Sequence, residues 1–129
     1  MLPRIISLLL ALAWMGWIFY LSHQPSVDIP SLFPYQDKVM HFVAYGVLAT
    51  FLLGSLPAPL PGYGRTQVLL ATGLASLYGI SDEFHQSFVP GRQPDVLDWL
   101  ADSAGALVAA MLLAQLSRWL MQKRNQTAA

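Results

Sequence analysis

The sequence predicts an all-α fold, a four-helix transmembrane bundle that forms a single domain over residues 1–129. Two observations predict it. The mean hydropathy of +0.48 is too high for a soluble domain of this length, and four apolar segments each approach the roughly 20 residues that cross a hydrocarbon core of about 30 Å. Net charge is zero and basic residues form no long block, so nucleic acid is not an expected partner. The lack of cysteine excludes disulfides, cysteine-ligated metal and a thiol nucleophile.

The first predicted helix covers about 3–21 and carries no charge after Arg4. Trp14, Trp17 and Tyr20 lie towards its far end, where an interfacial aromatic belt is expected. A small-x-small cleavage site does not follow, which favours an uncleaved anchor over a signal peptide. In the loop beyond this helix, two further polar side chains are expected to be solvated: His23 and Asp28.

The remaining three helices follow after short connections. The second covers about 39–56 and ends at a turn rich in proline and glycine. The third covers about 66–84 and the fourth about 96–120. Because Asp98 and Asp102 fall in the first turns of the fourth helix, we expect it to begin at the membrane interface with these acids against protein or water.

The distribution of Lys and Arg predicts the orientation of the bundle. If both termini lie on one side, that side holds five basic residues and the other side two: Arg4, Arg65, Arg118, Lys123 and Arg124 against Lys38 and Arg92. The positive-inside rule then predicts that both termini are cytoplasmic and that the chain is a multi-pass protein of the cytoplasmic (inner) membrane. All seven acidic residues would lie at the extracytoplasmic side.

Polar residues cluster where the second, third and fourth helices reach that side. Lys38, His41 and Tyr45 are spaced i, i+3 and i+7, so they share one face of the second helix. An ionisable group that faces lipid costs several kcal/mol unless it is paired, hydrated or neutralised, so we expect the polar faces of the three helices to meet. The predicted pocket contains Asp37, Lys38, His41, Tyr45, Asp82, Glu83, His85, Gln86, Arg92, Asp98 and Asp102.

The third helix divides its polar residues between two directions. Asp82, His85 and Gln86 share a face, and Glu83 lies about 100° away on an ideal helix. Acids also outnumber bases around the pocket, so a bound cation, protonated carboxyls or an electropositive ligand would relieve the excess of negative charge. Arg92 is the expected counterion, because its fork of donors can hold two carboxylates.

These residues resemble the VanZ-like family of small integral membrane proteins. The resemblance covers the chain from about residue 37 to the end of the fourth helix. It implies a four-helix membrane domain and, through the member that gives the family its name, a link with resistance to the glycopeptide antibiotic teicoplanin. Relatives often carry Asn where this chain has Asp102, so the acid here adds negative charge. The resemblance rests on Asp37-Lys38 with His41-Phe42 and Tyr45, on Asp82-Glu83 with Gln86, Phe88, Pro90 and Arg92, and on Asp98 with Asp102 and Gly105.

Binding is the first functional hypothesis. The pocket would recognise a component of the cell envelope, such as a lipid-linked cell-wall precursor, or would alter the access of glycopeptides to that component. Lys38 and Arg92 would contact phosphate or carboxylate, and acids would accept hydrogen bonds from sugar hydroxyls or amines. A simpler structural alternative is a hydrogen-bonded polar plug that only fixes the packing of the helices.

Catalysis and transport are the other hypotheses. An intramembrane enzyme would use His41 or His85 as general base on a lipid-linked substrate, although no nucleophile motif is present. An ion- or proton-coupled carrier would relay protons through the acids, yet the ionisable groups all lie near one surface. No cofactor and no metal site are expected. A metal-assisted enzyme would draw its ligands from four residues that match no HExxH spacing: Asp82, Glu83, His85 and Asp98.

Overall fold

The computed structural model describes residues 1–25, 32–59 and 62–127, and those residues contain no β-strand. They form four α-helices: α1 (Leu2–Ser22), α2 (Gln36–Ser55), α3 (Arg65–Gln86) and α4 (Val96–Thr127). The predicted all-α four-helix fold is confirmed. α2 begins at Gln36 instead of at about 39, and α4 continues to Thr127 instead of ending near 120. Asp28, which was expected to be solvated, lies outside the described residues.

Three of the helices, α1, α2 and α4, are long and apolar enough to cross a membrane. α3 is not among them although it has 22 residues. It is less apolar because Arg65 opens the helix and Asp82 and Glu83 lie in its last turns. The chain is therefore a membrane protein with three helices of spanning character. That α3 also crosses the bilayer stays a prediction.

Consecutive helices in the bundle are antiparallel. The start of α1 lies beside the end of α2, where Arg4 Nε donates to the carbonyl of Ser55 at 3.2 Å. Near the start of α4, Trp99 Nε1 donates to Ser76 Oγ in the second half of α3 at 3.0 Å. α2 contacts all three other helices and is the centre of the bundle. The end of α1, the start of α2, the end of α3 and the start of α4 therefore lie together.

We call this region the polar end, because it collects most of the ionisable side chains of the described residues. Its principal members are Ser22, Asp37, Lys38, His41, Asp82, Glu83, Gln86, Asp95, Asp98 and Asp102. They come from all four helices and from the segment that precedes α4. The up-and-down topology thus assembles the site, since each of its parts stands at the terminus of a different helix.

The closest helix contact is between α2 and α4, and small residues permit it. A Cβ atom built on Gly105 would lie only 2.0 Å from the carbonyl oxygen of Phe42, so α4 approaches the backbone of α2 directly at this point. Ala106, Ala110 and Ala114 continue the buried stripe along α4. Close packing of small residues is a common way for helices to associate in lipid, where apolar side chains gain little from contact with one another instead of with acyl chains.

Large apolar side chains cover the outside of the bundle. Leu9, Leu70, Leu77, Phe84 and Leu112 are examples that are largely exposed. A surface of this kind would promote aggregation in water, whereas hydrocarbon solvates it at no cost. The exposed apolar surface therefore agrees with a lipid environment around the helices.

Candidate functional site

Lys38 is the cationic centre of the polar end. Its Nζ lies 2.7 Å from Asp98 Oδ1 and 3.0 Å from Asp37 Oδ2, and it also contacts Asp95 Oδ2. The ammonium group has three donors, so a single lysine can serve all three acids and join the start of α2 to the start of α4. The hydrogen bond from Lys38 holds the pKa of the Asp95 carboxyl below its usual range.

Arg92 does not take the predicted place of counterion to the acids. Its Nε donates to the carbonyl of Gln24 at 3.2 Å, and its Nη2 donates to the carbonyl of Leu21 at 3.1 Å. No ion pair joins it to a carboxylate in the described parts of the chain. The reason is that the last carbonyls of a helix have no intrahelical partner. The carbonyls at the end of α1 therefore compete with the carboxylates for the guanidinium of Arg92. Arg92 therefore ties the loop after α3 to the end of α1.

A second contact between α2 and α4 involves His41 and Asp102. His41 Nδ1 lies 2.9 Å from Asp102 Oδ1, and Nε2 lies 3.9 Å from Asp98 Oδ1. The side chain of Asp102 is completely buried. The ring of Tyr45, one turn further along α2, lies parallel to the His41 ring with 6.4 Å between centroids. The predicted shared face of α2 is thus directed into the bundle.

The acids of α3 face two different sides of the bundle. Asp82 faces α1, because its Oδ2 accepts hydrogen bonds from Ser22 Oγ at 2.8 Å and from Gln86 Nε2 at 3.2 Å. Glu83 faces the start of α4, where its Oε2 accepts a hydrogen bond from the backbone N–H of Asp95 at 2.7 Å. Both carboxylates are buried. Asp82 and Glu83 are adjacent in the sequence but therefore contact different parts of the polar end.

His85 lies at the polar end but apart from the carboxylates. Its Nε2 is 3.2 Å from His23 Nδ1, and its ring packs on Phe19 with 4.4 Å between centroids. His23 is exposed, as predicted, yet it is the main polar neighbour of His85. Sequence reasoning did not include Ser22 and His23 in the site. Their position at the end of α1, at the depth of the other polar residues, is the signal that could have found them.

A cavity of about 210 Å³ opens between α1, α2 and α3 at the polar end. One part of its wall is polar and contains carboxylate, imidazole, phenol, amide and guanidinium groups. The other part is apolar and consists of aliphatic side chains of α1 and α2. The residues that line the cavity are Ile18, Leu21, Ser22, Asp37, Met40, His41, Ala44, Tyr45, Asp82, Gln86 and Arg92.

Three side chains at the polar end lie close enough together to hold a metal ion. A ring nitrogen of His41 and one carboxylate oxygen each from Glu83 and Asp102 lie within 4.8 Å of one another. The ligand set that the sequence offered for a metal-assisted enzyme differs, because it contained His85 and Asp82, which face α1. In the described residues only the group of His41, Glu83 and Asp102 satisfies the distance.

A four-helix membrane bundle with an acidic cavity at one end is the class of protein that this fold and site define. Within that class the chain belongs to the VanZ/LLP1 family, whose model matches residues 7–118. The match confirms the resemblance seen in the sequence and extends it towards the N-terminus, so that it includes most of α1. Neither the curated proteins nor the solved structures contain a match to the chain.

Proposed function

We propose that this protein binds the polar head of an amphiphilic cell-envelope molecule, such as a lipid-linked cell-wall precursor, at the extracytoplasmic face of the cytoplasmic membrane. One observation carries the proposal: the cavity joins a polar wall containing Asp82 to an apolar wall formed by Ile18, Leu21 and Met40. A ligand with a hydrophilic head and a lipid tail would satisfy both walls at once, since its tail can remain among the exposed apolar side chains of the bundle.

The size of the cavity supports a headgroup as the ligand. Its volume of about 210 Å³ is below the roughly 300–1,000 Å³ of pockets that enclose drug-sized molecules. A sugar or an aminoacyl group fits this space, whereas a whole glycopeptide antibiotic is too large. A link to teicoplanin tolerance would then act through the precursor that the antibiotic targets. The protein would limit access to that precursor and would not sequester the drug.

Two residues that line the cavity carry a buried oxygen atom without a hydrogen-bond partner among the described residues. Asp82 is only 3% exposed, and its Oδ1 has no hydrogen-bond partner among the described residues. The hydroxyl oxygen of Tyr45 is also buried and has no hydrogen-bond partner among the described residues. A buried acceptor without a partner costs about 1–3 kcal/mol, and more if it is charged. An amine or hydroxyl from the ligand would remove that cost, which favours binding of a donor-rich head.

The proposed orientation is that of the positive-inside rule, with both termini in the cytoplasm and the polar end outside. The antiparallel packing of α3 against α4 supports α3 as a fourth membrane-spanning helix. Its exposed face is also apolar, with Leu69, Leu74 and Ile80 among its exposed side chains. The acids of α3 would then lie against protein and the cavity instead of lipid.

The test is native mass spectrometry of the protein purified in mild detergent, combined with teicoplanin tolerance of a sensitive bacterial host that expresses it. We expect an envelope lipid to copurify and tolerance to rise. Asp82→Asn, which removes the charge of the cavity carboxylate and exchanges one of its two acceptor oxygens for an NH₂ donor of equal size, should reduce both by about tenfold, since a charged hydrogen bond contributes about 1.5–3 kcal/mol.

Asp95→Asn is the matched control, because it removes the same charge from the polar end without altering the cavity wall. It should retain the lipid and the tolerance. Equal amounts of each variant in the membrane must be verified by immunoblot. Copurification of no envelope lipid with the wild type, or retention of the lipid by Asp82→Asn, would refute the proposal.

A further inference from the structure

We propose that His41, Glu83 and Asp102 form a binding site for a divalent transition-metal ion at the polar end. Each of α2, α3 and α4 contributes one of these residues, and the three potential ligand atoms lie within 4.8 Å of one another. Imidazole nitrogen and carboxylate oxygen together suit Zn²⁺ and Mn²⁺. Ligand atoms around such an ion lie about 3–4 Å apart when the bonds are about 2.0–2.2 Å long, so small side-chain rotations complete the site.

Two buried oxygens without partners indicate where the ion binds. Asp102 is fully buried and Glu83 is only 8% exposed. Asp102 Oδ2 and Glu83 Oε1 have no hydrogen-bond partner among the described residues. A buried carboxylate oxygen without a partner is costly, and a bound cation would remove that cost. Both residues belong to the group that satisfies the distance requirement, so this observation and the geometry point to the same kind of ligand.

The second oxygen of each carboxylate is already held. Glu83 Oε2 accepts the backbone N–H of Asp95 at 2.7 Å, and Asp102 Oδ1 lies 2.9 Å from His41 Nδ1. The bond from Asp95 orients Glu83, as outer-shell hydrogen bonds do in metal sites. An ion that takes the place of the proton between His41 Nδ1 and Asp102 would be held by both of these side chains.

The charge around these residues also favours a bound cation. Lys38 is shared among Asp37, Asp95 and Asp98, and Arg92 donates to main-chain carbonyls. In the described parts of the chain, no lysine or arginine forms an ion pair with Glu83 or Asp102. Two buried carboxylates beside one histidine are therefore balanced by an ion with two positive charges. Such an ion would also fasten three helices together.

Three protein ligands would leave coordination positions open to water or to a further ligand, as in metal sites that act on small molecules. His41 also lines the cavity between α1, α2 and α3, so the proposed site borders this cavity. The metal site and the lipid-binding function are separate proposals, since metal binding needs no envelope molecule.

The experiment uses detergent-purified full-length protein that has been stripped with EDTA and reloaded with ZnCl₂ or MnCl₂. Elemental analysis after desalting should give about one equivalent of metal per chain. The thermal unfolding midpoint should rise by about 5 °C or more with saturating metal. Mg²⁺, which prefers an octahedral set of oxygen ligands, should not produce this rise.

Three variants make the test decisive. Glu83→Gln keeps an oxygen for the N–H of Asp95, and Asp102→Asn keeps one for His41, so both preserve the hydrogen bonds while they remove ligand charge. Each should weaken metal binding at least tenfold and abolish the metal-dependent rise of the midpoint. Asp37→Asn removes the same charge from the same end at an exposed position and should bind metal as the wild type does.

The contrary outcomes are equally clear. A wild-type protein that binds no stoichiometric Zn²⁺ or Mn²⁺ would overturn the proposal, and so would Glu83→Gln and Asp102→Asn proteins that bind as tightly as the wild type. An equal loss in Asp37→Asn would show that general surface charge attracts the ion. If Glu83→Gln or Asp102→Asn elutes as aggregate in detergent, the other of the two variants is used. The change of the wild-type unfolding midpoint on removal of metal with EDTA then tests the site together with that variant. None of these outcomes depends on whether a lipid copurifies with the protein.

Discussion

Replacement of Gly105 by alanine is expected to destabilise the bundle by about 3 kcal/mol or more, which is at the upper end of the cost of overpacking. The added Cβ would lie 2.0 Å from the carbonyl oxygen of Phe42 and 2.7 Å from its carbonyl carbon. These are backbone atoms, so no side-chain rotation can relieve the clash. α2 and α4 must move apart, and the separation disturbs the polar end because Lys38 and His41 bridge the same two helices.

Gly73→Ala is the matched control for this substitution. Gly73 lies inside α3, and a Cβ built there meets no atom within 4 Å. Alanine has a higher helix propensity than glycine by about 1 kcal/mol, so this variant should be equal to the wild type or slightly more stable. Both substitutions add a methyl group to a glycine inside a helix. They differ in that the methyl group at Gly105 meets the backbone of α2, whereas the one at Gly73 meets no other helix.

Thermal unfolding in one detergent, followed by tryptophan fluorescence and by size-exclusion chromatography, measures the difference. Gly105→Ala should unfold at a clearly lower temperature or give little folded protein, while Gly73→Ala behaves like the wild type. If both variants unfold at the same temperature, the close approach of α2 and α4 at Phe42 does not exist in the protein.

The helices were predictable from the sequence because the signal for each is local. An apolar run of about 20 residues indicates a membrane helix whatever its neighbours are, and α1, α2 and α4 show such runs. The shared face of Lys38, His41 and Tyr45 follows from helical spacing alone, and the structure directs these side chains inward. The clustering of polar groups was predictable because isolated charges are costly in lipid.

The pairing of groups within the cluster was not predictable in the same way. Arg92 donates to carbonyls at the end of α1, and this choice depends on where the loop after α3 lies relative to α1. The 100° separation of Asp82 and Glu83 was visible in the sequence, but which helix each acid faces depends on the rotation of α3 in the bundle. Glu83 lies close to His41 and Asp102 for that reason, and His85 does not.

Lys38→Met is the second substitution with a large expected effect. Lys38 is the only lysine or arginine that forms an ion pair with the acids in the parts of the chain that the structure describes. Its loss leaves Asp98, whose side chain is 12% exposed, without its cation. Removal of one partner of a buried pair costs about 3–5 kcal/mol, and partial exposure here reduces the expected loss to about 2–4 kcal/mol.

Asp98→Asn is the matched second substitution, because it removes the charge that Lys38→Met leaves behind. The double variant should therefore be more stable than Lys38→Met alone, and the cycle of the four proteins isolates the coupling between the two residues. Stabilities are compared by thermal unfolding in a single detergent at neutral pH. If Asp98→Asn adds its full cost to that of Lys38→Met, the two side chains do not interact.

The stability that Lys38→Met loses relative to the wild type should also depend on pH. Asp95 determines whether this loss grows or shrinks as pH falls. Because Lys38 holds the pKa of Asp95 below its usual range, this carboxylate contributes stability above the pKa of the unfolded chain, and the contribution is lost as pH falls through the folded-state pKa. Lys38→Met lacks that contribution at every pH. The gap between the midpoints of the wild type and the variant should therefore be widest near neutral pH and narrow below about pH 4, the ordinary range of an aspartate. A gap of constant size between pH 7 and pH 3 would mean that Lys38 stabilises the bundle by packing and not by its charge.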